Sequence, residues 1–390
     1  MARKPASSRS PQRLNRTQII LLFLTLALGF LITAGIIDLR RFELDPSLLG
    51  IETPPTPTVS GQMGGMTVYF TTPSLVYPDV PRNRVTPPHL RDILNDIAQA
   101  RQSIDMATFE YTLQPLAEAL VAAHQRGVKV RLALDRESLE DPVDAKFAGI
   151  VEDAGIPVSW EDSPAFLHSK FIIIDNKIVW TGSWNATIND TYRNNNNLLR
   201  ITIPEIVENY RVEFAEMAAG RFGNSKQAKT PFSRIATAQA TIENYFTPRE
   251  RPAARIVELI SGARQSVLFM AFAFTSDEIA GAMIARQQAG VPVRGVFERR
   301  NVGGTGSDFG RLRDGGVEVL EDGNCYTMHH KVIIIDGRIV ITGSYNFTAR
   351  AERTNDENLL IIDDPKLAAE YLAEFERVFE QARNPPRCQS

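Results

Sequence analysis

The chain has 390 residues and a mass of 43.4 kDa, a length that accommodates two or three domains. Apolar residues make up 43% and charged residues 23% of the chain, a composition typical of folded globular proteins and not of disordered or fibrous ones. Residues 1–41 hold seven basic residues and one acidic residue, so 36 basic residues face 45 acidic ones in the remainder, which therefore lacks the overall basic character of a nucleic-acid-binding protein.

The N-terminal region predicts a membrane anchor. Residues 19–37 carry no charge, and a helix of that length spans about 28 Å, close to one hydrocarbon core. The basic residues of the tail, 1–18, favour a cytoplasmic N-terminus and an extracytoplasmic body. The apolar run is long for a cleaved signal peptide, although cleavage and secretion stay open as the alternative. Residues 42–65 are rich in proline, glycine and threonine and predict an extended linker.

From residue 66 onward the sequence consists of two copies of one pattern. Matching segments keep the same order at offsets of 161 to 163 residues: 100–112 with 263–275, 126–131 with 289–294, 153–158 with 314–319, and 166–185 with 327–346. This regularity indicates a duplication, with a first domain at 66–222 and a second at 240–385. A polar stretch at 223–240 joins the two domains.

Helix and strand patterns alternate within each copy. Amphipathic periodicity predicts helices at 89–101 and 113–125, and again at 251–264 and 276–289. Apolar β-prone runs predict strands at 103–109, 128–135, 266–272 and 291–298. The alternation predicts an α/β sheet covered by helices in each half.

Each copy also contains a predicted β-hairpin that gathers polar side chains. The turns are expected at Asn176-Lys177 and Gly337-Arg338. Alternate residues of a strand share a face, so each motif histidine points the same way as the lysine two residues later. The return strand brings a serine and an asparagine back to that end. The gathered residues are His168, Lys170, Ser183 and Asn185 in the first copy, and His329, Lys331, Ser344 and Asn346 in the second.

This combination of side chains suits the cleavage of a phosphodiester. Lysine and asparagine donate hydrogen bonds to phosphate oxygens and stabilise the charge that develops on them. Histidine acts as a nucleophile or as a general acid and base near neutral pH. Two histidines on opposite sides of one phosphate could divide these roles without a metal or another cofactor.

Other histidines and the cysteines carry weaker signals. A single histidine is more often structural than catalytic, and we interpret His89, His124 and His330 in this way. Cys325 and Cys388 are too few for a four-thiolate zinc site, and whether they form a disulfide stays open.

The stretches HSKFIIIDNKIVWTGSWN at 168–185 and HHKVIIIDGRIVITGSYN at 329–346 resemble the paired HKD motifs of the phospholipase D superfamily. The resemblance extends over residues 66–385. It implies two duplicated α/β/α sandwich halves packed as a pseudo-dimer, in addition to the N-terminal transmembrane helix. It further implies one active site at the interface of the halves, a covalent phosphohistidine intermediate and activity as a monomer.

The resemblance also implies roles for individual residues. The catalytic set is His168, Lys170, Asn185, His329, Lys331, Asn346 and Glu357; the substrate-binding set is Ser183, Ser344 and Asn196; and the motif aspartates Asp175 and Asp336 are structural. Glu357 and Asn196 each follow a motif histidine by 28 positions. In similar proteins such a residue orients an imidazole, and in several of them it is the histidine of the opposite half. Crossed pairing would give His168 the carboxylate, and we therefore predict that His168 is the nucleophile and His329 the acid–base.

The substrate class stays open at this point. The membrane anchor and the acidic body favour a phospholipid, whose head group would be hydrolysed or transferred. A membrane-anchored nuclease is the first alternative, and its basic track would include Arg299, Arg300, Arg311 and Arg313. A cardiolipin-synthase-like transferase commonly has two N-terminal spans, whereas this chain has one apolar run. An inactive binding protein is the last alternative, against which both copies keep their histidine, lysine, serine and asparagine.

Overall fold

The computed structural model describes residues 64–71 and 77–388. The predicted tail at 1–18, the predicted membrane segment at 19–37 and the linker up to residue 63 lie outside the described residues. Within the described ranges, no helix is both long enough and apolar enough to cross a membrane.

The first copy forms a seven-stranded sheet with five helices. The strands are β1 (Met66–Phe70), β2 (Ser103–Thr108), β3 (Lys129–Asp135), β4 (Val158–Glu161), β5 (Phe171–Ile174), β6 (Ile178–Gly182) and β7 (Asn197–Ile201). The helices are α1 (Pro88–Gln99), α2 (Gln114–Gln125), α3 (Pro142–Asp153), α4 (Ile188–Tyr192) and α5 (Pro204–Ala218).

The second copy forms an eight-stranded sheet with its own five helices. The strands are β8 (Arg234–Ala236), β9 (Thr241–Thr247), β10 (Val267–Ala271), β11 (Val293–Phe297), β12 (Glu318–Glu321), β13 (Lys331–Ile335), β14 (Ile339–Gly343) and β15 (Glu357–Asp363). The helices are α6 (Ala253–Ser261), α7 (Asp277–Gln288), α8 (Phe309–Asp314), α9 (Ala349–Arg353) and α10 (Pro365–Arg383).

The two sheets share one topology. The first has the strand order β1-β7-β6-β5-β2-β3-β4, and the second has β8-β9-β15-β14-β13-β10-β11-β12. The β2/β3/β4 and β10/β11/β12 ladders are parallel, whereas the remaining pairs are antiparallel. The mixed α/β fold predicted from the repeat is therefore confirmed. Strand β8 lies inside the stretch predicted to be a linker, because it adds to the edge of the second sheet beside β9.

Each sheet is covered on both faces, which explains why the central strands are continuous apolar runs. The outer face of the first sheet packs against α1 to α3, and that of the second packs against α6 to α8. On the inner faces, Phe171 and Tyr210 of the first copy join Val332 and Tyr371 of the second in one buried cluster. Tyr210 lies on α5 and Tyr371 on α10, so these two helices form a shared inner layer of the core.

The hairpins that carry the motifs turn one residue earlier than expected. Asp175 and Asn176 have φ of 52°, and Asp336 and Gly337 have φ of 54° and 60°. Two successive residues with positive φ are typical of a type I′ turn, whose twist matches that of the flanking strands. Because the turn lies there, the motif aspartate begins it and faces away from the motif histidine.

Candidate active site

The motif histidines lie where the two halves exchange backbone hydrogen bonds. His168 precedes β5, and its amide donates to the carbonyl of Asp356 at 2.9 Å. His329 precedes β13, and its amide donates to the carbonyl of Asn195, also at 2.9 Å. Asp356 lies one position before β15, and Asn195 lies two positions before β7. The backbone pairing thus brings the start of each last strand against the histidine of the other copy.

The side chains consequently pair across the interface. His168 Nδ1 lies 2.7 Å from Glu357 Oε2, and His329 Nδ1 lies 2.9 Å from Asn196 Oδ1. Because the carboxylate and the amide oxygen accept from Nδ1–H, the Nε2 atom of each imidazole carries the lone pair. Both rings line a single cavity of about 310 Å³.

Two serines hold the partners of the histidines. Ser344 Oγ donates to Glu357 Oε2 at 2.6 Å, and Ser183 Oγ donates to Asn196 Oδ1 at 2.8 Å. The two serines and Asn196 are fully buried and do not line the cavity. This placement differs from the expectation that they contact the substrate, because their hydrogen bonds are used to orient the histidine partners.

Glycines precede both serines because the backbone there leaves no space for a side chain. Gly182 and Gly343 have φ of 154° and 149°. A Cβ atom would lie 2.1 Å from the carbonyl oxygen of Asn197 at the first position and 2.1 Å from that of Asn358 at the second. The close approach of the last strand is what lets each serine reach its partner.

The predicted asparagines line the cavity, and the carboxamide oxygen of each lacks a partner. Asn185 and Asn346 both line it. The Oδ1 atoms of both are buried and have no hydrogen-bond partner among the described residues. A buried carboxamide oxygen normally accepts a hydrogen bond, so these two oxygens require a donor such as a hydroxyl group or water, whereas only the Nδ2–H groups of the two asparagines can donate to a phosphate oxygen.

The predicted lysines lie beneath the histidines. Lys170 Nζ donates to the carbonyl of His168 at 2.6 Å, and Lys331 Nζ donates to that of His329 at 2.9 Å. Burial lowers the pKa of Lys170 to about 8 and holds the pKa of Lys331 well below its usual value. Lys170 also lowers the pKa of Lys331, and an anion bound near both lysines would raise both pKa values.

Burial is also the largest influence on the pKa values of the two motif histidines. It lowers the pKa of His168 to about 4, although Glu357 acts in the opposite direction. The pKa of His329 is held well below its usual value by burial and by both lysines. Both imidazoles are therefore neutral near pH 7, which leaves Nε2 available as a nucleophile or a base.

Three charged or aromatic features of the cavity were not predicted. Phe109 and Phe272 pack beside His168 and His329, with ring centroids 5.7 and 4.7 Å away. Glu110 lines the cavity, and burial raises the pKa of its carboxyl group to about 7. Asp190 Oδ2 lies 3.5 Å from His329 Nδ1. Both acids stand where the second copy has alanine, so a comparison of the repeats for mismatches could have found them.

The motif aspartates lie at the far end of the hairpins, away from the cavity. Asp175 accepts hydrogen bonds from the amides of residues 101–103, and Asp336 accepts them from those of residues 264–266. These bonds lower the pKa of both carboxyl groups despite partial burial. The aspartates thereby tie the hairpin turn to the loop before β2 or β10.

The remaining predicted residues are distant from the chemistry. His330 Nε2 lies 3.1 Å from Glu374 Oε1 on α10, on the opposite side of the strand from His329. His89 is buried on α1 beside Trp184, and His124 lies on α2. Within the described residues, no group of three or more histidine, cysteine or acidic side chains is arranged to hold a metal ion.

Of the four arginines considered as a nucleic-acid track, three are paired with acids, and Arg299 forms no ion pair among the described residues. Arg300 lies 2.6 Å from Glu298, Arg311 lies 2.6 Å from Asp277, and Arg313 lies 3.1 Å from Asp314. The cysteines that the sequence left open form a disulfide, Cys325–Cys388, with Cα atoms 5.4 Å apart.

The family described as "Cardiolipin synthase, PLD-like domain" matches the chain over residues 93–218 and 256–379. The chain is 37% identical to a mitochondrial cardiolipin hydrolase of Xenopus laevis over 128 residues, which are 33% of this chain and 61% of that protein. It is 36% identical to a phospholipase D of Rickettsia bellii over 146 residues, which are 37% of this chain and 72% of that protein. It thus spans less than two thirds of the first relative's length.

Solved structures extend the likeness over both copies. The phosphatidylserine synthase of Haemophilus influenzae aligns with a TM-score of 0.56 at 14% identity, covering 75% of this chain and 84% of that protein. At this identity the match establishes a common fold.

Proposed function

The chain belongs to the PLD-like domain family of the phospholipase D superfamily, and from this premise we propose that it cleaves the phosphodiester of a phospholipid and releases or transfers the head group. One observation carries the proposal: two imidazoles from different repeats line one cavity and are each held at Nδ1 by a residue of the opposite repeat. This arrangement leaves two Nε2 atoms available to one phosphate.

In the proposed first step, His168 Nε2 attacks phosphorus and forms a P–N bond. The P–O bond to the head-group oxygen breaks, its electron pair goes to that oxygen, and His329 protonates it. The phosphodiester anion raises the pKa of His329 on binding, which allows the ring to carry this proton. Glu357 stabilises the positive charge that develops on the His168 ring.

In the second step, water attacks the phosphohistidine while His329 takes a proton from it. The P–N bond breaks and His168 regains its lone pair. Lys170, Lys331, Asn185 and Asn346 are assigned to the phosphate oxygens, whose charge they stabilise in both steps. An alcohol in place of water would give transfer instead of hydrolysis.

The organisation of the whole chain is part of the proposal. The domains are assigned to 66–222 and 240–385, and both half-sites come from one chain, so a monomer suffices. Residues 19–37 are assigned as a single transmembrane anchor with a cytoplasmic N-terminus and an extracytoplasmic body. The Cys325–Cys388 disulfide supports that location, because such bonds persist in oxidising compartments.

The test uses the full chain in detergent–phospholipid mixed micelles with a chelator present. Head-group release is measured for the wild type and for His168→Ala and His329→Ala, and single-stranded and duplex DNA are offered separately. The proposal predicts head-group release that both substitutions abolish, and ethanol then separates transfer from hydrolysis. Cleavage of DNA with lipid left intact would make the protein a nuclease, and inactivity on both substrates would favour a binding role.

A further inference from the structure

A second groove adjoins the catalytic cavity. It has a volume of about 770 Å³ and runs between residues 160–165 of the first repeat and residues 349–354 of the second, with residues 220–225 as a third wall. Arg350 lines both the groove and the catalytic cavity. The groove and the catalytic cavity are therefore neighbours, with Arg350 in the wall of both.

Three guanidinium groups at this groove lack an acidic partner. Arg350 stacks 3.8 Å from the centroid of Phe166 and donates to the carbonyl of Pro164 at 2.8 Å. Arg353 lies one turn further along α9, and positions three apart share a helix face. The guanidinium of Arg136 lies 5.2 Å from the Trp160 ring that lines the groove. None of the three forms an ion pair with another residue in the described ranges.

The acidic residues of the groove form no ion pair with these arginines. Glu161 is buried and accepts a hydrogen bond from the amide of Ser163 at 2.8 Å, and burial raises the pKa of its carboxyl group. Asp162 is exposed and lies in none of the ion pairs of the described residues. The planar guanidinium fork matches the oxygens of a phosphate, and three unpaired forks predict affinity for an anion.

The equivalent flank on the other side of the cavity is different. Asn189 and Tyr192 occupy the positions of Arg350 and Arg353 there. The pocket on that side has about 200 Å³, and Arg300 in its wall is engaged by Glu298, Thr327 and the carbonyl of Tyr326. Arg299 in the same wall forms no ion pair among the described residues and lies 3.5 Å from the carbonyl oxygen of Cys325. The duplicated scaffold thus has three arginines without an acidic partner beside the larger pocket and one beside the smaller.

We propose that this groove, which Arg350 and Arg353 line and at whose Trp160 wall Arg136 lies, binds a second phosphate of the same substrate molecule, beyond the phosphate that is cleaved. This rests on the proposed function, which it refines: the preferred substrate is a phospholipid that carries two phosphates. The larger and more cationic of the two flanking pockets also favours one orientation of the substrate between His168 and His329. A lipid suits the groove better than a nucleic acid, because three arginines neutralise one extra phosphate and do not form a long track.

The experiment compares two lipids that differ by one phosphate. The full chain is assayed in mixed micelles of matched total charge containing either cardiolipin, whose two phosphates share a glycerol, or phosphatidylglycerol, which has one. The readout is the ratio of the two kcat/KM values. We expect Arg353→Ala and Arg136→Ala to lower this ratio about tenfold each, the size typical of one lost charge-assisted hydrogen bond, while kcat/KM for phosphatidylglycerol is unchanged.

A matched control removes one positive charge away from the groove. Arg313 is exposed beside Asp314 at the end of α8, and Arg313→Ala should leave the ratio unchanged. The proposal that the groove binds a second phosphate would be wrong if Arg313→Ala lowered the kcat/KM ratio equally, or if Arg353→Ala did not change it. Either result would leave the proposed head-group hydrolysis unaffected. Binding of single-stranded DNA that Arg353→Ala weakens, with no effect on the lipid ratio, would assign the groove to nucleic acid.

A binding measurement separates the two proposals. His168→Ala is titrated with fluorescent short-chain analogues of the two lipids, with and without Arg353→Ala. If the wild type hydrolyses neither lipid, the proposed function fails, but tighter binding of the two-phosphate analogue that depends on Arg353 would still support the groove. Equal affinities for the two analogues would overturn it.

Discussion

The two repeats place the same histidine and asparagine in the cavity and the same lysine and serine behind it, but they differ in their acids. The first repeat has Asp190 and Asn196, and the second has Ala351 and Glu357 at the equivalent positions. His168 therefore faces Glu357 at 2.7 Å, whereas His329 faces Asn196 at 2.9 Å and Asp190 at 3.5 Å. The duplicated backbone keeps both imidazoles in place, and the position of the carboxylate distinguishes them.

This difference suggests how a symmetric scaffold divides two chemical roles. A carboxylate in direct contact with Nδ1 stabilises a ring that becomes cationic when it is phosphorylated at Nε2. An amide with a more distant carboxylate holds the other ring in place but lets its proton leave more easily. We therefore expect the largest effects of substitution on the His168 side.

The sharpest test of the comparison is the site of covalent phosphorylation. With a p-nitrophenyl leaving group, which needs no acid, His329→Ala should accumulate a phosphoenzyme on His168, because no base remains to activate water. His168→Ala should form none, and turnover of phospholipid should fall by about 10⁴-fold or more in both variants, as expected when a nucleophile or its acid–base is removed. Mass spectrometry of the trapped protein identifies the modified residue, and phosphate on His329 would reverse the assignment.

The next largest effect concerns stability at the two crossings, the places where His168 and His329 each form a backbone hydrogen bond with the opposite repeat. At one crossing Lys226 is fully buried, pairs with Glu213 and lies 2.5 Å from Asp356, and those acids raise its pKa although burial alone would lower it. At the other crossing Asn324 donates to Asn195 at 2.7 Å. Lys226→Met leaves two buried carboxylates without their cation and should lower the free energy of unfolding by about 3–5 kcal/mol.

The neutral crossing serves as the control for Lys226. Asn324→Ala removes hydrogen bonds between uncharged groups and should cost about 1–2 kcal/mol. Unfolding of both variants is followed in detergent by thermal and urea denaturation. Equal losses would show that the buried charges do not make the first crossing stronger.

Replacing the direct carboxylate should slow the reaction strongly. Glu357→Gln keeps the size of the side chain but removes the charge that stabilises the His168 ring, so kcat/KM should fall about a hundredfold. The double variant Glu357→Asn with Asn196→Glu moves the carboxylate to the His329 side. It should remain well below the wild type, and wild-type activity in it would mean that the carboxylate does not decide the roles.

The more distant carboxylate should matter less. Asp190→Asn still accepts a hydrogen bond from the amide of Asn185, which Asp190 contacts at 2.7 Å. Loss of its charge should lower kcat about tenfold, since the carboxylate supports the cationic form of His329 only from a distance. The pKa of His329 then falls, so the alkaline limb of the kcat profile should move to lower pH. A profile that keeps its position would assign Asp190 a purely structural role.

The smallest expected effect comes from Glu110, which has no acidic counterpart in the second repeat. Its pKa is raised to about 7 by burial, so the side chain is neutral below that pH and negative above it. A negative group in the cavity repels the phosphodiester, and kcat/KM of the wild type should decline a few-fold as pH rises through about 7. Glu110→Gln should remove this decline and leave the later one near pH 8, where Lys170 loses its charge. A decline near pH 7 that survives in Glu110→Gln would contradict this role.

Much of the fold could be predicted because the repeat presents it twice. Helical and β periodicities at equivalent places reinforce each other, and the predicted patterns at 89–101 and 103–109 correspond to α1 and β2. Strand β8 escaped prediction because three residues at a sheet edge carry little pattern. The hairpin turn was misplaced by one residue because Asp175 and Asn176 both tolerate positive φ.

The site was predictable to the extent that its residues lie within the duplicated motif. His168, His329, Asn185 and Asn346 do line one cavity. Ser183 and Ser344 were expected at the substrate but are buried behind the histidines, because a motif indicates which residues gather and not which of them reach the cavity. Glu110, Asp190 and Arg350 were missed, since each differs from its counterpart in the other repeat.

The sequence by itself determined the duplication, the α/β class and the identity of the gathered side chains, because these follow from local periodicity and from a motif present twice. Only the tertiary structure decided that each histidine is held by the opposite repeat, since this depends on hydrogen bonds between segments more than 130 residues apart, such as His168 with Asp356 and His329 with Asn195. It also decided which arginines are free, because an ion pair depends on distances that no local pattern encodes. Arg300 Nε lies 2.6 Å from Glu298 Oε1, whereas the guanidinium carbon of Arg350 lies 3.8 Å from the centroid of the Phe166 ring.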